Sequence, residues 1–76
     1  MTETVLLDAT GLLCPLPVLK ARKALKPLTV GTVLEVRATD KGAVKDFEAF
    51  CRTTGNQLLS SREESGTYVF LIRKAA

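Results

Sequence analysis

Apolar and polar residues alternate along the 76-residue chain in blocks that predict six elements. Four segments are expected to be strands: residues 5–8, 32–39, 58–63 and 67–73. The last two are separated by Glu64, Ser65 and Gly66, a turn sequence that predicts a hairpin. Residues 68–72 are all apolar, so the final strand is expected to be buried on both faces and central in the sheet.

The first helix is expected over residues 15–26, because prolines suit its first turn and Pro27 stops it. The helical period then divides its side chains between two faces. The face expected to be buried holds Val18, Ala21 and Leu25. The opposite face holds Leu16, Lys20 and Lys23.

The second helix is expected over residues 42–54, with Asp40 as its N-cap and Gly55 ending it. Its apolar positions follow the spacing of one helix face. These positions are Ala43, Phe47, Phe50, Cys51 and Thr54. Cys51 is therefore interpreted as a packing residue.

The element order β-α-β-α-β-β predicts an α/β fold in a single domain over residues 1–76. A strand-helix-strand unit favours a parallel pair, and the closing hairpin adds an antiparallel pair. The economical arrangement is a two-layer sandwich, in which a four-stranded mixed sheet carries both helices on one face.

The amino-acid composition limits the kinds of catalytic and metal site that the chain can form. The chain has no histidine and two cysteines, which excludes Cys-His and Ser-His dyads and a tetrahedral zinc site built from this chain. No metal or cofactor is expected. The absence of a long apolar run predicts a cytosolic protein with no membrane association, whose thiols are reduced. The net charge of +3 fits either a soluble surface or an RNA or acidic protein partner.

The chemistry of the chain is expected at Cys14, which is followed by two prolines, Pro15 and Pro17. We place Cys14 at the N-cap of the first helix, where the helix dipole favours a thiolate. Because the prolines remove two N–H donors, only a moderate lowering of the thiol pKa is expected. The prolines are expected to stiffen the turn and to hold the sulfur exposed. A buried structural cysteine ahead of an ordinary helix start is the alternative.

A docking surface for a partner is expected beside Cys14. The exposed side of the first helix places Leu16 with Lys20 and Lys23, and Arg22 adds positive charge to the same helix. An ordinary solvated helix face is the alternative. The remaining carboxylates, Asp40, Asp46 and Glu48, show no pairing that demands acid-base chemistry.

Residues 7–17, Leu-Asp-Ala-Thr-Gly-Leu-Leu-Cys-Pro-Leu-Pro, resemble the signature of the TusA (SirA-like) sulfur-carrier family, with its Cys-Pro-x-Pro motif. Residues 46–51, Gly55 and residues 68–74 also resemble that family. The resemblance implies a β-α-β-α-β-β sandwich in which Cys14 accepts a sulfane sulfur as a persulfide and passes it to an acceptor protein, in the manner of a sulfurtransferase. It implies Gly11, Pro15 and Pro17 as positioning residues.

Family donors include cysteine desulfurases and rhodanese-type enzymes, and family acceptors feed tRNA thiolation, cofactor assembly or sulfur oxidation. Two departures from the family pattern, Leu16 between the prolines and Lys41 after Asp40, flank the expected docking surface. They leave the partner open and leave the sulfur chemistry unchanged. The partner-docking residues are expected to be Leu13, Leu16, Lys20, Arg22, Lys23 and Asp40.

Two other functions compete with a sulfur carrier. An RNA-binding or regulatory module is favoured by the basic charge, but three of the four aromatic residues are expected in the core, which leaves no stacking platform. A redox sensor would join Cys14 to Cys51, which requires Cα atoms within about 7 Å. Cys14 is expected at the tip of one helix and Cys51 on the buried face of the other, so this pairing is unfavourable.

Overall fold

The computed structural model describes residues 3–75, and residues 1, 2 and 76 of the expected domain lie outside this range. Every predicted element is present, with ends that differ by no more than one residue. The elements are β1 (Thr4–Ala9), α1 (Leu16–Leu25), β2 (Val33–Ala38), α2 (Ala43–Thr54), β3 (Gln57–Glu64) and β4 (Thr67–Arg73).

The four strands form one mixed sheet in the order β1-β2-β4-β3. β1 and β2 are parallel, with Leu7 opposite Val36, and β2 and β4 are antiparallel, with Val36 opposite Phe70. β3 and β4 form the predicted antiparallel hairpin, with an irregularity between Leu58 and Ser60. The prediction that the last strand lies centrally is confirmed.

Both helices cover one face of the sheet, as predicted. α1 packs on β1 and β2, α2 packs on β3 and β4, and the helices contact each other. The ring of Phe47 lies 4.6 Å from that of Phe70, centroid to centroid, and both side chains are fully buried. Burial of each such side chain contributes about 1.5–3 kcal/mol, so this layer is the main source of stability.

The C-terminal ends of both helices are fixed by specific contacts. Gly55 adopts a left-handed conformation and its N–H donates to Cys51 O at 2.9 Å, which confirms the predicted end of α2. Lys74 Nζ donates to three carbonyl oxygens at and just beyond the end of α1: those of Leu25, Lys26 and Leu28.

The prediction that Thr54 belongs to the buried face of α2 is wrong. Its side chain is exposed, and its hydroxyl donates to Phe50 O at 2.8 Å. A threonine in the last turn of a helix satisfies its hydroxyl locally, so the position needs no apolar neighbour.

Candidate functional site

Two loops meet at the carboxyl ends of the parallel strands β1 and β2. Gly11, in the first loop, has a left-handed φ of +80°. Its N–H donates to Thr39 Oγ1 at 2.9 Å. The backbone N–H of Cys14 donates to Asp40 Oδ2 at 2.5 Å. These two bonds fasten the loop that carries the thiol to the loop that precedes α2.

Asp40 connects the two loops and does not cap α2. Its Oδ1 accepts a hydrogen bond from the Gly42 N–H at 3.2 Å, so each of its carboxylate oxygens accepts one backbone N–H. The N–H groups of Cys14 and Gly42 hold the pKa of Asp40 below its usual range. The predicted N-cap role is wrong, because the N-cap residue is Gly42 and no side chain caps the helix.

Cys14 is an exposed, free thiol that lies beside the beginning of α2. The N-cap of α1 is Pro15, so the predicted N-cap position of Cys14 is wrong by one residue. A methyl group on Gly42 would lie 3.2 Å from Cys14 Cβ and 3.5 Å from Cys14 Sγ. The missing side chain at Gly42 therefore gives Cys14 the room to approach α2.

Cys14 Sγ donates a hydrogen bond to Oδ2 of Asp46, in the first turn of α2. This bond is the largest cause that raises the pKa of the Cys14 thiol, followed by partial loss of hydration and by the negative charges of Asp46 and Asp40. The predicted lowering of this pKa is therefore wrong. The sequence interpretation considered the dipole of α1 and did not include the carboxylates of Asp46 and Asp40, which favour the protonated thiol.

Asp46 is the residue beside the thiol that the sequence interpretation missed. It precedes Cys51 by five positions in the segment that resembles the family, and that resemblance was the available signal. Its proximity to Cys14 results from a pairing across 32 positions, which local patterns do not reveal.

The two prolines occupy the beginning of α1 as predicted. Pro17 is fully buried, whereas Pro15 is exposed and joined to Cys14 by a cis peptide bond. The Leu16 N–H donates to Leu13 O at 2.8 Å, and this turn leads the chain from the thiol into the helix.

The exposed face of α1 carries leucines beside lysines. Leu16 and Leu19 are 47% and 49% exposed, and Leu13 in the preceding loop is 71% exposed. We define the α1 stripe as the residues that line one shallow groove on this face: Leu12, Leu16, Leu19, Lys20, Arg22, Lys23 and Lys26.

Arg22 of the α1 stripe also lines the groove between α1 and α2, together with Pro15 and Asp46. Of the residues expected to dock a partner, Leu16, Lys20, Arg22 and Lys23 lie together in the stripe. Asp40 is separate from them and is occupied by backbone contacts.

Cys51 is buried in the core, and burial raises the pKa of its thiol. Both cysteines are free thiols, one exposed and one buried, which gives no support to a Cys14–Cys51 redox pair. Phe47, Phe50 and Phe70 are buried, so they offer no stacking platform for RNA.

Within residues 3–75, no group of three or more His, Cys, Asp or Glu side chains is arranged to hold a metal ion. None of the helices in the same range is long and apolar enough to cross a membrane.

The fold and the site together define a class of protein: a small two-layer α/β protein with one exposed thiol beside two carboxylates. The model of the family described as sulfurtransferase TusA matches residues 5–74. The sulfur carrier protein TusA of Allochromatium vinosum is 56% identical over 69 residues, 91% of each chain. A putative sulfur carrier protein of Neisseria meningitidis is 54% identical over 67 residues, 88% of this chain and 90% of that one.

A crystal structure of a SirA-like protein from Desulfitobacterium hafniense is similar to this fold, with a TM-score of 0.82 at 26% identity. It covers 95% of this chain and 99% of that chain. The chain belongs to the sulfurtransferase TusA family. This membership confirms the family and the sulfur-carrier role expected from the sequence, and the RNA-binding alternative has no support.

Proposed function

We propose that Cys14 is the residue on which this sulfur carrier holds its sulfur, as a persulfide. One observation carries the assignment: Cys14 is exposed and fixed through its backbone to Asp40, whereas Cys51 is buried in the core. A residue that exchanges sulfur with other proteins must be reached by their sulfur atoms, and Cys14 meets this requirement.

The proposed chemistry needs one thiolate and no cofactor. The Cys14 thiolate attacks the outer sulfur of a donor persulfide R–S–SH. The new Cys14 S–S bond forms as the donor S–S bond breaks, so Cys14–S–SH is produced and R–S⁻ leaves. In the second transfer an acceptor thiolate attacks the outer sulfur of Cys14–S–SH, and Cys14 leaves as the thiolate.

Intact-protein mass spectrometry tests the assignment. The chain is incubated with a cysteine desulfurase and cysteine, and in parallel with a rhodanese and its sulfur donor. Wild-type chain and Cys51→Ala are expected to gain one sulfur that dithiothreitol removes, and Cys14→Ala is expected to gain none. A one-sulfur gain that persists in Cys14→Ala, or its absence from the wild-type chain with every donor, contradicts the proposal.

The partners are proposed to be a sulfur donor of the cysteine desulfurase or rhodanese type and an acceptor protein, in transient complexes. The α1 stripe supports a protein partner with acidic side chains around an apolar contact. α1 contains two lysines and one arginine and no acidic residue, and its exposed leucines lie among its lysines. Gly11 and Pro17 are proposed to position the loop, and Leu13 is proposed to extend the docking surface towards Cys14.

Acceptors in tRNA thiolation, cofactor assembly or sulfur oxidation are compatible with this chemistry, because each takes sulfur from a persulfide. A cytosolic location is part of the proposal.

A further inference from the structure

We propose that Asp46 is a positioning residue that senses whether Cys14 carries sulfur: its carboxylate retains the empty thiol and repels the loaded persulfide. The inference rests on the proposed function in that the loaded state is a persulfide on Cys14. It assigns a role to a residue that takes no part in the sulfur-transfer steps themselves.

The position of the Asp46 carboxylate is set by the core. Asp46 lies in the first turn of α2, and its neighbour Phe47 is fully buried against Phe70. Cys14 is held separately, by the bond from its N–H to Asp40. The thiol and its acceptor therefore meet as two independently anchored groups, and their contact does not depend on a flexible chain.

The charges around the sulfur are unbalanced. The negative charges of Asp46 and Asp40 both act on Cys14. The groove that Asp46 lines also contains the cation Arg22 of α1, but neither Cys14 nor Asp40 lines it. Among residues 3–75 the ion pairs are Arg37–Glu35 and Arg62–Glu64, so Asp46 has no cationic partner within 4 Å. Its carboxylate therefore interacts directly with the group on Cys14, which is either the thiol or the persulfide.

A neutral thiol and an anionic persulfide interact with this carboxylate in opposite ways. The S–H group donates a hydrogen bond to Asp46, which stabilises the protonated thiol. The outer S–H of a persulfide is more acidic than a thiol and is ionised at neutral pH. A negative sulfur beside a carboxylate is repelled, so the loaded group is expected to turn away from α2.

The space around Cys14 acts in the same direction. A persulfide extends the side chain by one S–S bond of about 2.05 Å. On the side of α2, Cys14 Sγ is already in contact with Oδ2 of Asp46, whereas the residue is otherwise exposed to solvent. The added sulfur is therefore accommodated towards solvent, where an acceptor thiolate reaches it.

The test measures two rates on each variant: alkylation of the empty thiol by iodoacetamide at pH 8, and transfer of sulfur from the loaded chain to a small thiol. Asp46→Asn keeps the shape of the side chain and removes its charge. Alkylation is expected to accelerate and sulfur transfer to slow, each about two- to fivefold, the range for charge interactions at exposed sites. Glu48→Gln makes the same charge change at an exposed position of α2 and is expected to leave both rates unchanged.

Opposite changes in the two rates are the signature of the proposed sensor, because a merely loosened site changes both rates in one direction. Asp46→Asn rates that equal those of Glu48→Gln, or that move together, overturn the inference. Asp46→Ala is measured beside it to separate loss of charge from hydrogen bonds made by the new amide. A wild-type chain that loads no sulfur overturns the proposed function instead, and the alkylation rate still reports on the Asp46 contact.

Discussion

Cys14 and Asp40 are joined by a hydrogen bond of 2.5 Å from backbone N–H to carboxylate, across 26 positions of the chain. The bond links the ends of two loops that follow parallel neighbouring strands. The position of the thiol therefore depends on Asp40, a residue that the sequence predicts only as a helix N-cap.

Asp40→Asn is expected to lower the stability of the fold at neutral pH and to leave its stability at strongly acidic pH unchanged. Backbone N–H groups lower the folded-state pKa of Asp40, so its stabilising effect is present above the unfolded pKa and is lost as pH falls through the lowered value. The wild-type chain is expected to be more stable than Asp40→Asn at pH 7, with the difference vanishing at strongly acidic pH. Chemical denaturation across this pH range checks the prediction, and a difference that is independent of pH contradicts it.

Gly42→Ala is expected to change the reactivity of Cys14 more than the stability of the fold. Gly42 has an ordinary helical φ of −63°, so alanine adds no backbone strain there. Its methyl group would lie 3.2 Å from Cys14 Cβ, which forces the thiol to shift by a few tenths of an ångström. The measurement is the alkylation rate of Cys14 beside the thermal unfolding midpoint.

Gly11→Ala makes the same substitution in the loop before Cys14 and, unlike Gly42→Ala, is expected to lower the stability of the fold. Nothing lies within 4 Å of a methyl group at Gly11, but its φ of +80° is unfavourable for alanine. The variant is expected to lose about 1–2 kcal/mol of unfolding free energy. If Gly11→Ala is as stable as the wild type in denaturant titrations, the left-handed position is not required.

Phe47→Ala is expected to remove a large part of the stability of the protein. The fully buried ring stacks on Phe70, and such a truncation costs about 3–5 kcal/mol. A chain of 76 residues has about 4–11 kcal/mol in total. Leu59→Ala, at a half-exposed position, is expected to stay within about 0.5 kcal/mol of the wild type. Equal losses of unfolding free energy in Phe47→Ala and Leu59→Ala would contradict a core centred on Phe47.

Lys23→Glu is expected to weaken docking of an acidic donor protein. The substitution reverses a charge in the α1 stripe, so the KM for sulfur loading by a cysteine desulfurase should rise, and added salt should reduce the difference. Arg52→Glu makes the same charge change on α2 and serves as the control. A KM that rises equally in both variants shows a dependence on net charge and contradicts a defined docking surface.

The sheet and helices were predictable because their signals are local. The apolar run at residues 68–72 predicted the central strand, and Pro27 and Gly55 predicted the ends of the two helices. Such features depend on backbone conformation and on side-chain period, which neighbouring residues determine.

The environment of the thiol was not predictable from local signals. A cysteine ahead of a helix predicts a lowered pKa, whereas the fold raises it by bringing Asp46 to the sulfur from 32 positions away. The same limit explains Asp40, which was expected to cap one helix and instead joins two loops. Contacts between loops follow from topology, so they appear only when the strands are assembled.

The most direct test of Cys14 as the carrier residue follows one labelled sulfur through both transfers. The chain is loaded from ³⁴S-cysteine by a desulfurase, separated from the donor, digested and mapped by mass spectrometry before and after addition of an acceptor thiol. The label is expected on the peptide that contains Cys14 before the acceptor is added and on the acceptor afterwards. Label on the Cys51 peptide, or label on Cys14 that no acceptor removes, contradicts the account.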